Sequence, residues 1–78
     1  MNWHEHIISD KDVLLGKPTI KGTRISVELI LELLATGWTK KQILESYPQL
    51  KEQNMKEVFA YLKDCMQQEL IFLLPKSA

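Results

Sequence analysis

The sequence predicts a mainly α-helical domain in which three helices follow a short N-terminal β arm or hairpin. Two observations support this class. Apolar residues recur at helical spacing between Ser26 and Gln68, with helix-capping residues at the flanks. Residues 16–26, GKPTIKGTRIS, instead concentrate glycine, proline and β-branched residues. We divide the chain into an arm (1–25), a tri-helical region (26–69) and an apolar tail (70–78).

The composition is that of one small globular domain. At 78 residues, 45% of them apolar and 26% charged, the chain forms a single core of limited size. Ten cations balance ten anions, which argues against a general nucleic-acid binder, although residues 16–51 hold twice as many cations as anions. The lone Cys65 excludes an internal disulfide, and no leader or membrane-spanning run is seen, so we expect a cytoplasmic protein.

The arm combines strand-like residues with turn residues. Thr19–Ile20 and Thr23–Ile25 have the β-branched content of strands, and a turn separates them. Gly16 and Gly22 would supply a positive φ at the turns. Because two short strands are barely stable alone in water, we expect the arm to pair with a second chain.

The first helix begins after Ser26, a favourable N-cap, and ends at Gly37. Its main apolar face is formed by Val27, Ile30, Leu31 and Leu34. Leu29 and Leu33 add a second apolar stripe, which a chain of this size cannot easily cover. The pattern therefore predicts a homodimer in which these two leucines take part.

The second and third helices are marked by a cap and by a proline turn. Thr39 and Gln42 match the capping box, so a short helix runs from Lys40 to about Ser46, and Pro48 ends it. The third helix begins at residue 51 or 52 and reaches about residue 68. Its predicted buried face consists of Met55, Val58, Phe59, Leu62 and Met66.

This order of elements is typical of a tri-helical helix-turn-helix domain, whose third helix enters the major groove. The predicted outer face of the third helix comprises Gln53, Asn54, Lys56, Glu57, Ala60 and Lys63. Asparagine and glutamine read adenine edges and lysine contacts phosphate, but Glu52, Glu57 and Asp64 would repel phosphate. The alternative is a helical bundle with an ordinary solvated face.

Cations and one amide form the predicted set of DNA-contacting residues. They are Lys17, Lys21, Arg24, Lys40, Lys41, Lys51, Asn54 and Lys56. The arm lysines and Arg24 would face nucleic acid or the acidic groups of a partner. In the alternative, the lysines only solvate the arm, and Thr23 and Arg24 tie it to the first helix by hydrogen bonds; for Arg24 we favour this structural role.

Several motifs along the chain resemble one known family. They are Ile8, Asp10, Val13-Leu14, Gly16-Lys17-Pro18, Ile20, Gly22-Thr23-Arg24-Ile25, Val27, Leu34, Gly37, Ile43-Leu44 and Tyr47-Pro48. Over roughly residues 5 to 65 the chain resembles the bacterial domain of unknown function 433. The resemblance implies a dimeric, homeodomain-like helix-turn-helix fold and an antitoxin encoded beside a PIN-like nuclease toxin. Lys51 departs from the Ser or Thr that usually caps the third helix in that family.

The residues indicate no enzyme, metal site or cofactor. His4, Glu5 and His6 are too few for a metal site on a terminal segment, and Cys65 has neither a nearby histidine nor a CxxC motif. No nucleophile–base set or phosphate loop is present.

The tail is too apolar to remain in water, so we expect it to self-pack, to join the dimer or to bind a partner. Its candidate contact residues are Leu70, Ile71, Phe72, Leu73 and Leu74. Three function classes remain: an antitoxin-like DNA-binding module, a stand-alone transcription regulator, and a dimeric scaffold that does not bind DNA.

Overall fold

The structure is a computed structural model that describes residues 3–68. Its elements, in chain order, are β1 (Ile7–Ile8), a 3-10 turn (Leu14–Gly16), β2 (Thr19–Ile20), α1 (Val27–Ala35), α2 (Lys40–Ser46) and α3 (Glu52–Gln68). The chain is mainly helical, with three helices and a two-stranded antiparallel sheet near its N-terminus. No helix within this range is long and apolar enough to cross a bilayer.

The first two helices begin and end where their capping residues predict. Ser26 Oγ accepts the N–H of Leu29 at 2.9 Å, and α1 gives way to Gly37, whose φ is 104°. Thr39 and Gln42 form the complete capping box at the start of α2, each side chain accepting the other's backbone N–H. These bonds satisfy N–H groups that a first helical turn leaves without partners.

The third helix uses a different cap. Asn54 Oδ1 accepts the N–H of Lys51 at 2.8 Å, while the Asn54 N–H donates to the Lys51 carbonyl oxygen at 2.9 Å. The side chain of the third helical residue thus covers the residue before the helix, which is one half of a capping box. Lys51 therefore precedes α3 without needing a capping side chain of its own.

The arm packs on its own helices. β1 pairs with β2, with Ile7 opposite Ile20 and Ile8 opposite Thr19. The second strand predicted at residues 23–25 is absent; the chain turns there, and the Ile25 carbonyl oxygen accepts the N–H of Ile20 at 3.0 Å. The buried core comprises Ile7, Ile20, Ile25, Val27, Ile30, Ile43, Leu50, Met55 and Val58. Burial stabilises this short sheet, so the arm itself gives no reason to require a second chain.

The buried face of α3 differs from the predicted one. Met55 and Val58 are buried and Leu62 is half-buried, as predicted, but Phe59 is 52% and Met66 49% exposed. Glu57, predicted on the outer face, is only 1% exposed. A helical pattern read from hydropathy alone placed these three residues wrongly.

The N-terminal segment explains the difference, because residues 3–6 cover a polar line along α3. The ring of Trp3 meets that of Tyr61 edge-on, with centroids 4.8 Å apart. Trp3 Nε1 donates to Asp64 Oδ2 at 2.6 Å, and His6 Nδ1 forms a hydrogen bond with Glu57 Oε2. Polar residues of α3 are therefore covered by a distant segment, and two apolar residues are left open.

Candidate nucleic-acid interface

Seven of the eight predicted DNA-contacting residues are exposed, and Asn54 is half-buried. Two of the seven are already in ion pairs. Lys17 Nζ lies 3.3 Å from Glu28 Oε1, and Lys40 Nζ lies 2.7 Å from Glu52 Oε1. The other five cations form no ion pair with any residue between 3 and 68. Exposure alone therefore overstates how many predicted cations are available to a phosphate.

Lys21 and Lys51 line one cleft, of about 300 Å³, between the turn after β2 and the start of α3. Gln49 and Gln53 line the same cleft, and His6 stands beside them. Cations and amides at the beginning of a helix are the groups that contact phosphates and read base edges in helix-turn-helix proteins. The fold thus brings together the arm and α3, although 29 residues separate the two lysines along the chain.

Asn54 has an internal role. Besides capping α3 through Oδ1, it donates from Nδ2 to Glu57 Oε1 at 3.2 Å. One acceptor site and one N–H of its amide are therefore engaged within the chain, and a DNA contact by Asn54 stays a prediction. Asn54 lines the cleft together with its exposed neighbour Gln53.

The acid at the start of α3 is neutralised by a cation from α2. The hydrogen bond from the Lys40 ammonium to Glu52 lowers the pKa of that carboxyl below its ordinary value, and the positive charge of Lys40 adds to the effect. A smaller contribution to the lowered pKa comes from Lys56. Glu52 is consequently ionised but paired at neutral pH.

The two acids further along α3 are also held by partners. Glu57 is buried and bonded to His6 and Asn54, and Asp64 is half-buried and accepts the indole N–H of Trp3. Each carboxylate therefore has a hydrogen-bond donor of its own, and Glu57 also lines the cleft that holds the two lysines.

The open face of α3 presents cations and apolar side chains. Lys56, Phe59, Lys63 and Met66 follow one another at spacings of three, four and three residues, and all four are exposed. Lys56 lies one turn beyond Gln53, so this face continues from the cleft at the start of the helix.

The turn of the arm is closed by Thr23. Its Oγ1 donates to the Ile20 carbonyl oxygen at 2.7 Å and accepts the N–H of Ile25 at 3.0 Å, so these bonds stay within the arm. Arg24 is exposed and makes no hydrogen bond or ion pair with the residues that the structure describes. The favoured interpretation, in which Arg24 joins the arm to α1 by hydrogen bonds, is therefore wrong.

The predicted dimer residues divide into two groups. Leu29 and Leu33 are half-buried and pack against the core of their own chain. The tail candidates, Leu70, Ile71, Phe72, Leu73 and Leu74, lie outside the described residues.

Three surface residues were not predicted as binding residues. His6 and Gln49 line the cleft, and Leu15 is 93% exposed. No local pattern marks His6 or Gln49, because their positions depend on contacts between segments far apart in the chain. The run Val13–Leu15 before Gly16 gives the one local signal for Leu15, an apolar residue in a turn.

Comparison with known proteins gives one result. A family model described as "Protein of unknown function (DUF433)" matches residues 7–62, which include both strands, α1, α2 and most of α3. This confirms the resemblance seen in the sequence motifs. No curated protein and no solved structure gives a match.

Proposed function

The chain belongs to the DUF433 family, and we propose that it is a dimeric DNA-binding module of the antitoxin type. In this proposal α2 and α3 form a homeodomain-like helix-turn-helix unit, and the cytoplasmic protein represses its own operon. A C-terminal segment neutralises a PIN-like nuclease. The antitoxin role is suggested by what the sequence resemblance implies, and DNA binding is supported by the geometry at the start of α3.

The main support for DNA binding is that each acid of α3 is paired with a side chain from another part of the chain. Glu52, Glu57 and Asp64 each have a partner from outside α3. The lysines that share the helix and its approach, Lys51 and Lys56, have no such partner among residues 3–68. Although α3 carries three acids and two lysines, its charged side chains without an ion pair or hydrogen-bond partner within residues 3–68 are the lysines, and Lys51 before the helix adds a further cation, as a phosphate contact requires.

The start of α3 is the proposed point of contact. Lys21 and Lys51 would bind phosphates beside the backbone N–H groups of the first helical turn, which also favour anions. Gln53 and Lys56, one turn apart on the open face, would face base edges. In this arrangement the arm positions the domain on the DNA phosphate backbone, and α3 contacts base edges in the major groove.

A mobility-shift assay with the DNA upstream of the gene tests this proposal. We expect a shifted complex whose affinity falls at least about 100-fold between about 50 and 200 mM salt, because phosphate contacts release counterions. The double variant Lys21→Ala/Lys51→Ala should bind weakly and show a shallower salt dependence. Lys11→Ala removes an exposed cation outside the cleft and should bind like the wild type. A double variant that binds as tightly as wild type would remove the cleft from the interface.

Two alternatives remain. A stand-alone transcription regulator would share the DNA interface and lack the nuclease partner. A dimeric scaffold that does not bind DNA is favoured by one observation, the half-exposed Phe59 and Met66 on α3, since exposed apolar side chains are typical of protein contacts. A scaffold would give no mobility shift at any salt concentration.

Co-purification separates the first two classes. The tagged full chain is tested with the product of the adjoining gene, and the same experiment is repeated without residues 70–78. A complex that requires the tail supports the antitoxin role. DNA binding without any neighbouring partner supports the stand-alone regulator.

A further inference from the structure

Leu14 and Leu15 both have an unfavourable backbone conformation, and the side chain of Leu15 is exposed. Their φ angles are 50° and 57°, in the left-handed region that side chains branched or bulky near the backbone rarely adopt. Leu15 is nevertheless 93% exposed, so the strain is not offset by burial within the domain. A contact outside the domain would account for both features.

The loop that carries Leu15 is held in place by hydrogen bonds to Asp10. The Asp10 carbonyl oxygen accepts the N–H groups of Val13 at 2.8 Å and Gly16 at 3.1 Å. Asp10 Oδ1 accepts the N–H of Asp12 at 2.9 Å. Because the loop is already ordered, binding through Leu15 needs little further loss of backbone freedom.

A depression of about 430 Å³ adjoins this loop. Its lining residues, which we name the Leu15 surface, are Leu14, Leu15, Lys17, Arg24, Ser26 and Leu29. A projecting side chain next to a depression on the same surface suits a two-fold contact, in which each Leu15 enters the depression of the other copy.

Charges at the edge of this surface complement one another. Arg24 has no ion-pair partner among residues 3–68. Glu32 is exposed on α1, one turn beyond Leu29, and within the same part of the chain it also lacks an ion pair. In a two-fold contact through this surface, we expect Arg24 of each copy to pair with Glu32 of the other. Glu28 is not available for this role, because Lys17 holds it.

We propose that the Leu15 surface is a homodimer interface whose occupant is a second copy of this chain. The inference rests on the proposed dimeric function and names the surface that forms the dimer. It assigns Arg24 to the dimer, while Lys21 and Lys51 remain open for DNA. Leu29 contributes to both the core and the interface.

Sedimentation equilibrium of the full chain tests this interface through Leu15→Asn. Asparagine adopts the left-handed conformation more readily than leucine, so the variant keeps the fold while replacing the apolar contact. We expect the dimer dissociation constant to rise at least about 100-fold, because two leucine side chains lose their burial. Met66→Gln, a matched apolar-to-polar change at a 49% exposed residue outside the Leu15 surface, should leave it unchanged. A Leu15→Asn dimer as tight as wild type would overturn the interface.

Charge reversal tests the predicted ion pair. Arg24→Glu and Glu32→Lys should each weaken the homodimer, because like charges then meet at both symmetric contacts. A mixture of the two variants should form heterodimers with near wild-type affinity, since both cross-contacts again join opposite charges. A mixture no tighter than either variant alone would overturn the pairing of Arg24 with Glu32.

The outcomes distinguish this inference from the proposed function. A dimer that survives Leu15→Asn and is lost when residues 70–78 are removed would place the contact in the tail, overturning the interface while leaving the DNA proposal standing. A monomeric wild type would overturn both the interface and the proposed dimer. Binding to a single DNA half-site needs no second copy, so the mobility-shift assay judges DNA binding separately.

Discussion

The two sides of α3 differ in an unusual way, because acidic side chains are covered on one side and apolar side chains are exposed on the other. One side carries Glu57 and Asp64, which are covered, whereas the other carries Phe59 and Met66, which are half exposed. The covered acids are accommodated because residues 3–6 supply a hydrogen-bond partner for each. The N-terminal segment, and not the pattern of α3 alone, therefore decides which side of the helix is available to a partner.

The largest expected difference is between a buried and a half-exposed apolar residue of α3. Met55→Ala should lower the free energy of unfolding by about 2–5 kcal/mol, because Met55 is 1% exposed and its loss leaves a cavity. Phe59→Ala should lower it by less than about 1 kcal/mol, since that ring is half exposed. Urea unfolding followed by circular dichroism measures both. Equal losses would contradict the orientation of α3.

Glu57 tests whether the covered acid depends on its partners. Glu57→Ala should lower the free energy of unfolding by about 1–3 kcal/mol, because it leaves a space where a buried side chain stood and removes the acceptor that His6 and Asn54 share. Glu57→Gln replaces the carboxylate by an amide of similar shape that can still bond to both, so a loss of about 1 kcal/mol or less is expected. An alanine variant as stable as wild type would show that the carboxylate is not buried.

Trp3 tests the cover over the second acid. Trp3→Phe should cost about 1 kcal/mol of stability, because it removes the N–H donated to Asp64 while keeping a ring against Tyr61. Trp38→Phe is the matched control, since no hydrogen bond from its indole is found within residues 3–68; it should change stability by less than about 0.5 kcal/mol. The same urea titrations give both values, and equal effects would argue against the Trp3–Asp64 bond.

The smallest effect concerns the exposed acid, Glu52. Lys40→Met should raise the pKa of Glu52 towards its ordinary value, because the hydrogen bond and positive charge that lower it are removed. A lowered pKa means that the pair stabilises the fold at neutral pH and that this contribution is lost as the pH falls through the pKa of Glu52. Carboxyl NMR titration measures the shift. Lys41→Met should leave this pKa unchanged; equal shifts in both variants would contradict the specific pairing.

Features set by neighbouring residues could be predicted from the sequence. Ser26, the Thr39–Gln42 capping box and Gly37 fix the ends of α1 and the start of α2 through bonds made within one turn. The positive φ of Gly16 and Gly22 follows equally from local chemistry.

Features that depend on distant segments could not be predicted. Burial of Glu57 requires His6, which lies 51 residues earlier in the chain. For the candidate site, exposure of the cations was predictable, but their availability was not. Lys40 is less available to a phosphate because it pairs with Glu52, which follows it by 12 residues. That pairing depends on how α2 packs beside α3.

The most direct measurement is an amide NMR titration of the full chain with its own upstream DNA. We expect the largest shifts at Lys21, Lys51, Gln53 and Lys56, which share the start of α3 and its cleft, with only small shifts at Asp64 on the covered side. Shifts concentrated on the covered side, or no shifts with any DNA at low salt, would contradict DNA binding through the start of α3.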